Sequence, residues 1–421
     1  MTSPRASTAP VPATLSRPRV VFAILALALG GFGIGVTEFV AMGLLPEIAQ
    51  NLLPAAWGTS HADATASAGH LVSAYALGVV VGAPTIAALG ARLPRKRLLL
   101  ILLAAFTVTT IASAVLPSFG LVLVARFAAG LPHGAYFGIA SLVAGSILGP
   151  GRRGRGVSLV LAGLTVSNVI GVPVVTYVGQ TSGWRAAYLV VAAVFAVTFV
   201  AVLVAVPHQP ADAGASMRRE LAAFRSSQLW LNIASGAIGF GGFFAVYSYV
   251  SPIVTGPAGL PSGAVPFALA TVGVGMTFGN LLGGWAADRS RDGAVVVFGA
   301  LLAISLVLVG LLGGSPVGLF GGLFLLGGSA MGFAPIVQTR LMHAAGDAEA
   351  IGAAANHSAL NIGNAFGAYL GGLAITSGFG YLSSAWVGLV LLIAGMAIMT
   401  VSIVRERRGL ARPVRLAAEN A

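Results

Sequence analysis

The chain has 421 residues, of which 57% are hydrophobic and only 8% are charged, and its formal net charge is +12. Soluble domains carry about 25% charged residues, so this composition excludes an ordinary soluble protein and indicates a membrane protein. The sequence contains no cysteine, which excludes disulfides and thiolate metal sites. Its 58 glycines fit the same class, because small residues let membrane helices pack closely.

Twelve apolar segments are long enough to cross a bilayer, which takes about 20 residues of α-helix. Six lie near 20–45, 70–91, 98–117, 119–148, 157–179 and 186–207, and six more near 229–254, 265–287, 294–314, 316–340, 351–376 and 382–404. They predict an all-α membrane protein of twelve transmembrane helices, which we number as spans 1 to 12. The predicted parts are a disordered tail (1–19), an N-terminal six-helix bundle (20–207), a linker (208–228), a C-terminal six-helix bundle (229–404) and a second tail (405–421).

The basic residues lie almost entirely on one side of this arrangement. All but two of the 23 lysines and arginines fall before span 1, after span 12, or in the loops 2–3, 4–5, 6–7, 8–9 and 10–11. The positive-inside rule then predicts that both termini are cytoplasmic. Because orientation and contact with anionic lipids explain the positive charge, no nucleic-acid partner is expected.

Two short basic loops occupy the same place in the two halves. “ALGARLPRKR”, with Arg92, lies between spans 2 and 3, and “GGWAADRSRDG” lies between spans 8 and 9. Internal repetition of this kind is typical of secondary transporters, whose binding sites lie near the midplane between the repeats. It predicts two six-helix bundles related by pseudo-two-fold symmetry.

The second of these loops resembles the G-x-x-x-D-R motif of the major facilitator superfamily, with Gly284, Asp288 and Arg289 at its fixed positions. The first-half copy departs from the pattern, since it has Ala87 and Ala91 where the motif has Gly and Asp. The resemblance implies a loop that switches with the conformation of the protein. Its residues would be Gly284, Asp288, Arg289 and Arg92.

Other stretches extend the resemblance over about residues 20–404. “ARFAAGLPHGAYFG” resembles the span-4 motif of proton-coupled members, and “GLTVSNVIGVPVVTYVG” is similar to the span-5 antiporter motif, although Val172 splits its Gly-Pro pair. “TEFVAMGLLPEIA” and “NHSALNIGNAFGAYLGG” look like a bacterial efflux subgroup. That subgroup includes chloramphenicol-resistance, arabinose-efflux and purine-nucleoside-efflux proteins, so the resemblance implies a drug:proton antiporter.

Glu38 is the only one of the eleven acidic residues that falls well inside a span. At 1.5 Å per residue it lies about 27 Å along span 1 from Val20, in the outer part of the membrane. Intramembrane acids are costly and usually face a cavity or a pathway. The alternative is a carboxyl that simply reaches external water, and the resemblance favours a proton-coupling group.

Span 4 contains the other ionisable candidates. Arg126 is the only basic residue inside a span, and because its guanidinium stays protonated its expected role is electrostatic. His133 lies two helical turns further on nearly the same face, and histidine titrates near neutral pH. We predict that Glu38, Arg126 and His133 couple protons to transport. The alternatives are a snorkelling arginine, and a histidine bonded to a backbone carbonyl.

Three other spans supply candidates for a substrate cavity. His357, Asn361 and Asn364 form one stripe of span 11, which either faces a cavity or bonds to other helices. Aromatic residues in span 7 suit either a flat apolar ligand or lipid; they are Phe240, Phe243, Phe244 and Tyr247. Asn168 in span 5 is a further, isolated candidate, for which packing is the alternative.

These features predict a multi-pass, proton-coupled antiporter of a bacterial-type cytoplasmic membrane that exports small organic molecules, most simply chloramphenicol-like drugs. A sugar or purine-nucleoside exporter is the alternative, favoured by the polar stripe of span 11.

The sequence has no phosphate-binding loop for ATP and no enzyme signature. The expected energy source is the proton gradient, with no cofactor and no metal, and the expected state is a monomer. A sensor or scaffold would need a soluble domain, and a channel would need a filter ring.

Overall fold

The computed structural model describes residues 16–90, 93–149, 153–208, 222–346 and 349–409. In this part of the chain all regular structure is helical, and eleven helices are long and apolar enough to cross a membrane. Span 11, which carries a histidine and three asparagines, is also long enough but is not one of these eleven. The predicted all-α fold with twelve membrane-spanning helices is confirmed.

The spans of the first half are Arg17–Gly43, His70–Gly90, Arg95–Val115, Phe119–Gly130 with His133–Leu148, Arg153–Val166 with Val172–Ser182, and Trp184–Ala205. Those of the second half are Ser227–Tyr247, Val265–Arg289, Arg291–Leu312, Pro316–Ala345, Glu349–Ala374 and Ser383–Arg407. Successive spans run in opposite directions. The first and last spans therefore begin and end at the same face of the bundle, which we call the terminal face. The opposite face is the distal face.

Local chemistry explains where several spans begin. Ser226, Ser290 and Ser315 precede spans 7, 9 and 10, and each accepts a hydrogen bond from the backbone N–H three residues later. Such a cap satisfies a donor that the first helical turn leaves without a partner.

The predicted boundaries differ from the observed ones by a few residues, since span 1 begins at Arg17 and span 10 continues to Ala345. Residues 1–15, 209–221 and 410–421, which include most of the predicted tails and linker, lie outside the described part.

Spans 4 and 5 are interrupted, although the sequence predicts one continuous helix for each. Span 4 breaks at Leu131–Pro132, because proline has no N–H to donate within a helix. Span 5 contains a π-helical turn, Ser167–Gly171, shortly before Pro173. The first break separates the helix with Arg126 from the helix with His133, and the π turn carries Asn168.

Three short helices connect spans 1 and 2 at the distal face, a region for which the sequence analysis predicted no helices: Leu45–Leu52, Pro54–Thr59 and His61–Ala68. The first is amphipathic, since it buries Leu45, Ile48 and Ala49 while Gln50 and Asn51 are exposed. It also holds Glu47, whose Oε2 atom is buried and has no hydrogen-bond partner. Burial raises the pKa of the Glu47 carboxyl above its ordinary value.

The two halves pack against each other through spans 2 and 11 and through spans 5 and 8. The hydroxyl of Ser73 in span 2 donates to the carbonyl oxygen of Ala365 in span 11 at 3.0 Å. On the other side, Gly273 of span 8 lies so close to span 5 that a Cβ there would overlap the carbonyl oxygen of Asn168.

Tyr249 closes the boundary between the halves at the distal face. It is fully buried just after span 7, and its hydroxyl donates to the carbonyl oxygen of Ala368 at 2.7 Å and lies 3.4 Å from that of Ala66. Ala66 belongs to the first half and Ala368 to the second. Gly69 and Gly372 make this fit possible, because a Cβ at either position would overlap the tyrosine hydroxyl.

A cluster of charged residues joins four spans of the second half near the terminal face. We call this cluster the Arg340 clamp. The guanidinium of Arg340 donates to Asp292 at 3.0 Å, to Glu406 at 2.7 Å and to the Asn232 side-chain oxygen at 3.3 Å, and Arg407 pairs with Asp292 at 2.7 Å. Arg340 is only 4% exposed. The sequence analysis counted it simply as a loop charge that sets orientation. The structure instead shows a buried side chain that connects spans 7, 9, 10 and 12.

Candidate functional site

The carboxyl of Glu38 is buried in span 1, with 6% of the residue exposed. The Arg126 guanidinium of span 4 acts on it electrostatically, and the amide of Asn364 in span 11 faces it from the other half of the chain. Both amide atoms of Asn364 lack a hydrogen-bond partner among the described residues. Glu38 therefore lies at the boundary between the halves, which argues against a carboxyl that simply reaches external water.

Arg126 is completely buried, so it is not a snorkelling arginine. Its two terminal nitrogens donate to the Thr37 hydroxyl at 3.1 Å and to the Thr37 carbonyl oxygen at 2.8 Å. The guanidinium also lies 4.4 Å from the ring centroid of Tyr75 and 5.4 Å from that of Tyr188. A desolvated cation–π contact stabilises a buried cation by about 2 kcal/mol. The Nε–H has no partner among the described residues, so Arg126 keeps one donor beside Glu38 that these residues do not use.

His133 is bonded to a side chain and not to a backbone carbonyl. Its Nδ1 atom lies 3.1 Å from the hydroxyl oxygen of Tyr75, which is buried in span 2. Its ring lies 6.4 Å from the ring of His357 in span 11, and His357 in turn stacks on Phe137 of span 4. The structure thus connects Arg126, Tyr75, His133 and His357 by successive contacts.

The polar stripe of span 11 contributes unpaired amides to this region. The Asn361 side-chain nitrogen donates to the His357 carbonyl oxygen of its own helix at 3.0 Å. The remaining polar atoms of Asn361 and Asn364, and the side-chain oxygen of Asn356, have no partner in the described part. Buried polar atoms are normally bonded, and each one left alone costs about 1–3 kcal/mol. Most polar atoms of the stripe are therefore not explained by hydrogen bonds to other described helices.

The four aromatic candidates of span 7 are buried, so they do not lie on the outer surface that faces lipid. The Tyr247 ring lies 5.5 Å from that of Phe39 in span 1, and its hydroxyl has no partner. Phe243 lies 5.0 Å from both Tyr247 and Phe244. Phe240 packs at 5.6 Å on Phe333 of span 10, inside the second half. Tyr247 is therefore the member of this group that comes close to Glu38.

The remaining predicted residues lie elsewhere. Asn168 donates to the Leu164 carbonyl oxygen of its own span at 3.1 Å, and its side-chain oxygen is unpaired. Arg289 lies 3.7 Å over the ring of Trp285, and a Cβ at Gly284 would meet no other atom. Arg92 and the side chain of Asp288 lie outside the described part. A switching role for this loop stays a prediction.

Several residues of the site were not assigned from the sequence. Phe137 offered a signal, since it follows Arg126 and His133 on nearly the same face of span 4. Tyr75 and Tyr188 offered none beyond a polar atom in an apolar helix. Among the described residues, no group of three or more histidines and carboxylates could hold a metal ion.

Two helical bundles with a buried polar site between them define a membrane transporter of the secondary type. The sequence model of the Major Facilitator Superfamily matches residues 27–356. The chain belongs to this superfamily.

Related proteins cover nearly the whole chain. The inner membrane transport protein YdhP of Escherichia coli strain K12 is 34% identical over 386 residues, which is 91% of this chain and 96% of YdhP. AraJ of the same organism is 34% identical over 377 residues, covering 89% and 93%. A chloramphenicol resistance protein of Streptomyces lividans is 31% identical over 373 residues, covering 87% and 93%. The crystal structure of a D-xylose-proton symporter matches with a TM-score of 0.70 at 17% identity, covering 90% and 97%, which shows a shared fold.

Proposed function

We propose that this transporter is an antiporter that exports small organic molecules in exchange for protons. The observation that carries the proposal is the buried Glu38 carboxyl, which lies beside the buried Arg126 and faces the unpaired amide of Asn364 across the boundary between the halves. A carboxyl in that place exchanges its proton as the cavity opens to one side of the membrane and then to the other.

The charges of the site suggest how proton and substrate exclude each other. Arg126 stays protonated, so a deprotonated Glu38 makes the pair neutral, and a protonated Glu38 leaves one positive charge. The deprotonated carboxylate accepts strong hydrogen bonds from the hydroxyl or amide donors of a substrate. Protonation from the distal side removes part of this acceptor capacity and favours release of the substrate there.

The proposed substrates are chloramphenicol-like compounds, which combine a flat ring with hydroxyl and amide groups. The rings of Phe39 and Tyr247 suit the flat part, while the amides of Asn361 and Asn364 offer both donors and acceptors to the polar part. The chloramphenicol resistance protein among the relatives supports this substrate class.

A sugar or purine-nucleoside exporter is the second candidate. The unpaired polar atoms along span 11 favour it, because a ligand with many hydroxyl groups satisfies more of them than an aromatic drug does. Competition for binding by drugs, sugars and nucleosides separates the two candidates.

The proposal places the transporter in a bacterial cytoplasmic membrane as a monomer, with both termini and therefore the terminal face in the cytoplasm. The distribution of basic residues and the description of YdhP as an inner membrane protein support the location. The proton gradient is the proposed energy source, with no resident cofactor.

The test is transport by the purified protein in proteoliposomes under an imposed pH gradient. The wild type is expected to concentrate chloramphenicol against its gradient. Glu38→Gln should lose this gradient-driven transport yet retain exchange of labelled for unlabelled substrate. Glu47→Gln, which removes an acid outside the boundary site, is the matched control and should retain both. Full gradient-driven transport by Glu38→Gln, or none by the wild type with any of the three substrate classes, would contradict the proposal.

A further inference from the structure

Tyr75 of span 2 contacts both Arg126 and His133 of span 4, and the proposed exchange of protons gives it no role. Its ring lies against the Arg126 guanidinium at 4.4 Å, and its hydroxyl lies 3.1 Å from Nδ1 of His133. Spans 2 and 4 approach closely here because Gly78 and Gly130 face each other, and a Cβ on either would overlap the opposite backbone. The contact is therefore built into the packing of the first half.

The hydroxyl and the imidazole constrain each other's protons. A neutral imidazole has one donor nitrogen and one acceptor nitrogen, and a protonated imidazole has two donors. When Nδ1 is bare, the Tyr75 hydroxyl donates to it and the ring proton sits on Nε2. When Nδ1 carries a proton, the hydroxyl must accept instead. The direction of this one hydrogen bond thus records whether Nδ1 of His133 carries a proton.

Tyr75 also lies near titratable side chains from spans 1, 4, 6 and 11. Near it are Glu38 from span 1, Arg126 and His133 from span 4, and Tyr188 from span 6, with His357 of span 11 behind His133. Glu38 is close to the distal end of span 1, and His357 is close to the end of span 11 at the terminal face. The order of these groups runs from the distal side toward the terminal face.

We propose that Tyr75 is a positioning residue that makes His133 a second proton site, between Glu38 and the terminal face. In the transport cycle the proton released by the Glu38 carboxyl is taken up at Nδ1 of His133, while the Tyr75 hydroxyl turns from donor to acceptor. When the cavity opens toward the terminal face, His133 gives that proton to the water that enters. The inference rests on the proposed proton coupling and adds a route and a residue to it.

The test is Tyr75→Phe, which keeps the ring beside Arg126 and removes only the hydroxyl. We expect gradient-driven transport to fall about tenfold, the loss of rate that follows from one missing hydrogen bond of about 1.4 kcal/mol. The pH–rate profile should move toward higher pH, because the hydroxyl no longer favours an unprotonated Nδ1. Exchange without a gradient should fall less than gradient-driven transport does, and the thermal unfolding temperature should drop by about 2 °C, the shift expected for one lost hydrogen bond.

Tyr136→Phe is the matched control. Tyr136 is also fully buried in span 4, and its hydroxyl donates to the Leu27 carbonyl oxygen at 2.9 Å, but it makes no contact with Arg126. Its pH–rate profile should be that of the wild type. His133→Gln should lose as much gradient-driven transport as Tyr75→Phe, although it lacks the imidazole that moves the pH–rate profile. The double variant should be no worse than either, since two residues of one route are not additive.

Two results would overturn the inference. One is a wild-type pH–rate profile in Tyr75→Phe. The other is an equal change in Tyr75→Phe and Tyr136→Phe, which would show that the hydroxyl is only structural. If the proposed function itself is wrong, the wild type shows no gradient-driven transport. That result is distinct from both of these.

Discussion

The imidazole of His357 lies flat against the ring of Phe137, with ring centroids 5.6 Å apart and ring planes inclined by only 7°. The two residues belong to different halves, and they lie on the terminal side of Glu38. We infer that a substrate moving along this boundary between the site and the terminal face would meet the stacked pair, so that the pair acts as a barrier in this conformation.

We predict that His357→Ala opens this barrier, whereas His357→Phe preserves it. A stacked aromatic pair contributes about 0.5–1.5 kcal/mol beyond its buried area, and only a second ring replaces that contribution. The measurement is the labelling rate of Asn361→Cys by a thiol reagent added at the terminal face. The chain has no cysteine of its own, so the label reports on this one position. Equal labelling rates in the two His357 variants would contradict a barrier made by stacking.

Substitution of Arg126 should affect transport in a graded order. Thr37→Val removes one of its acceptors and keeps the carbonyl oxygen, so the effect should be small, about 1 kcal/mol in unfolding free energy. Arg126→Lys keeps the charge but loses the paired geometry and the stacking between two tyrosines, so transport should fall at least about tenfold. Arg126→Ala should abolish it. Transport rates and unfolding temperatures of the three variants check the order, and a fully active Arg126→Lys would show that charge alone suffices.

Gly372→Ala should disturb the distal closure, and Tyr249→Phe should partly rescue it. The added methyl group overlaps the Tyr249 hydroxyl, whereas the next ring atom, Cζ, is at an ordinary 3.5 Å. Removal of the hydroxyl therefore relieves the overlap. Distances between spin labels on the distal ends of the two halves should lengthen in Gly372→Ala and return toward the wild-type value in the double variant. An unchanged distance in the single variant would contradict the closure.

Glu47→Gln should stabilise the protein at neutral pH. Burial raises the folded-state pKa of this carboxyl above its unfolded value, so its ionised form opposes folding once the pH exceeds that unfolded value. Below it the carboxyl is protonated in both states and the penalty disappears. The unfolding temperature in detergent should rise by on the order of 2 °C at pH 7–8 and change little near pH 4. A stabilisation that is the same at both pH values would point to packing instead of ionisation.

The sequence alone predicted the fold and identified part of the candidate site. Long apolar segments and the sidedness of basic residues define spans, and an ionisable residue inside such a segment stands out, as Glu38 and Arg126 do. The role of Tyr75 depends on which face of span 2 meets span 4, and no local pattern encodes that. Arg340 was missed because its acid partners lie 48 and 66 residues away in the chain. The short helices before span 2 are below the length at which apolar runs indicate a span.

The Tyr249 contact and the Arg340 clamp differ in their chemistry, and this has a consequence for experiments in solution. The distal contact of Tyr249 consists of a neutral hydroxyl on backbone carbonyl oxygens, whereas the Arg340 clamp consists of charges whose carboxylates, Asp292 and Glu406, are 34% and 31% exposed. Dissolved ions screen exposed charges over about 8–10 Å at moderate salt but leave neutral hydrogen bonds almost unchanged. Ionic strength therefore acts on the terminal face of the second half and spares the distal face, so the two ends of one transporter can be perturbed separately.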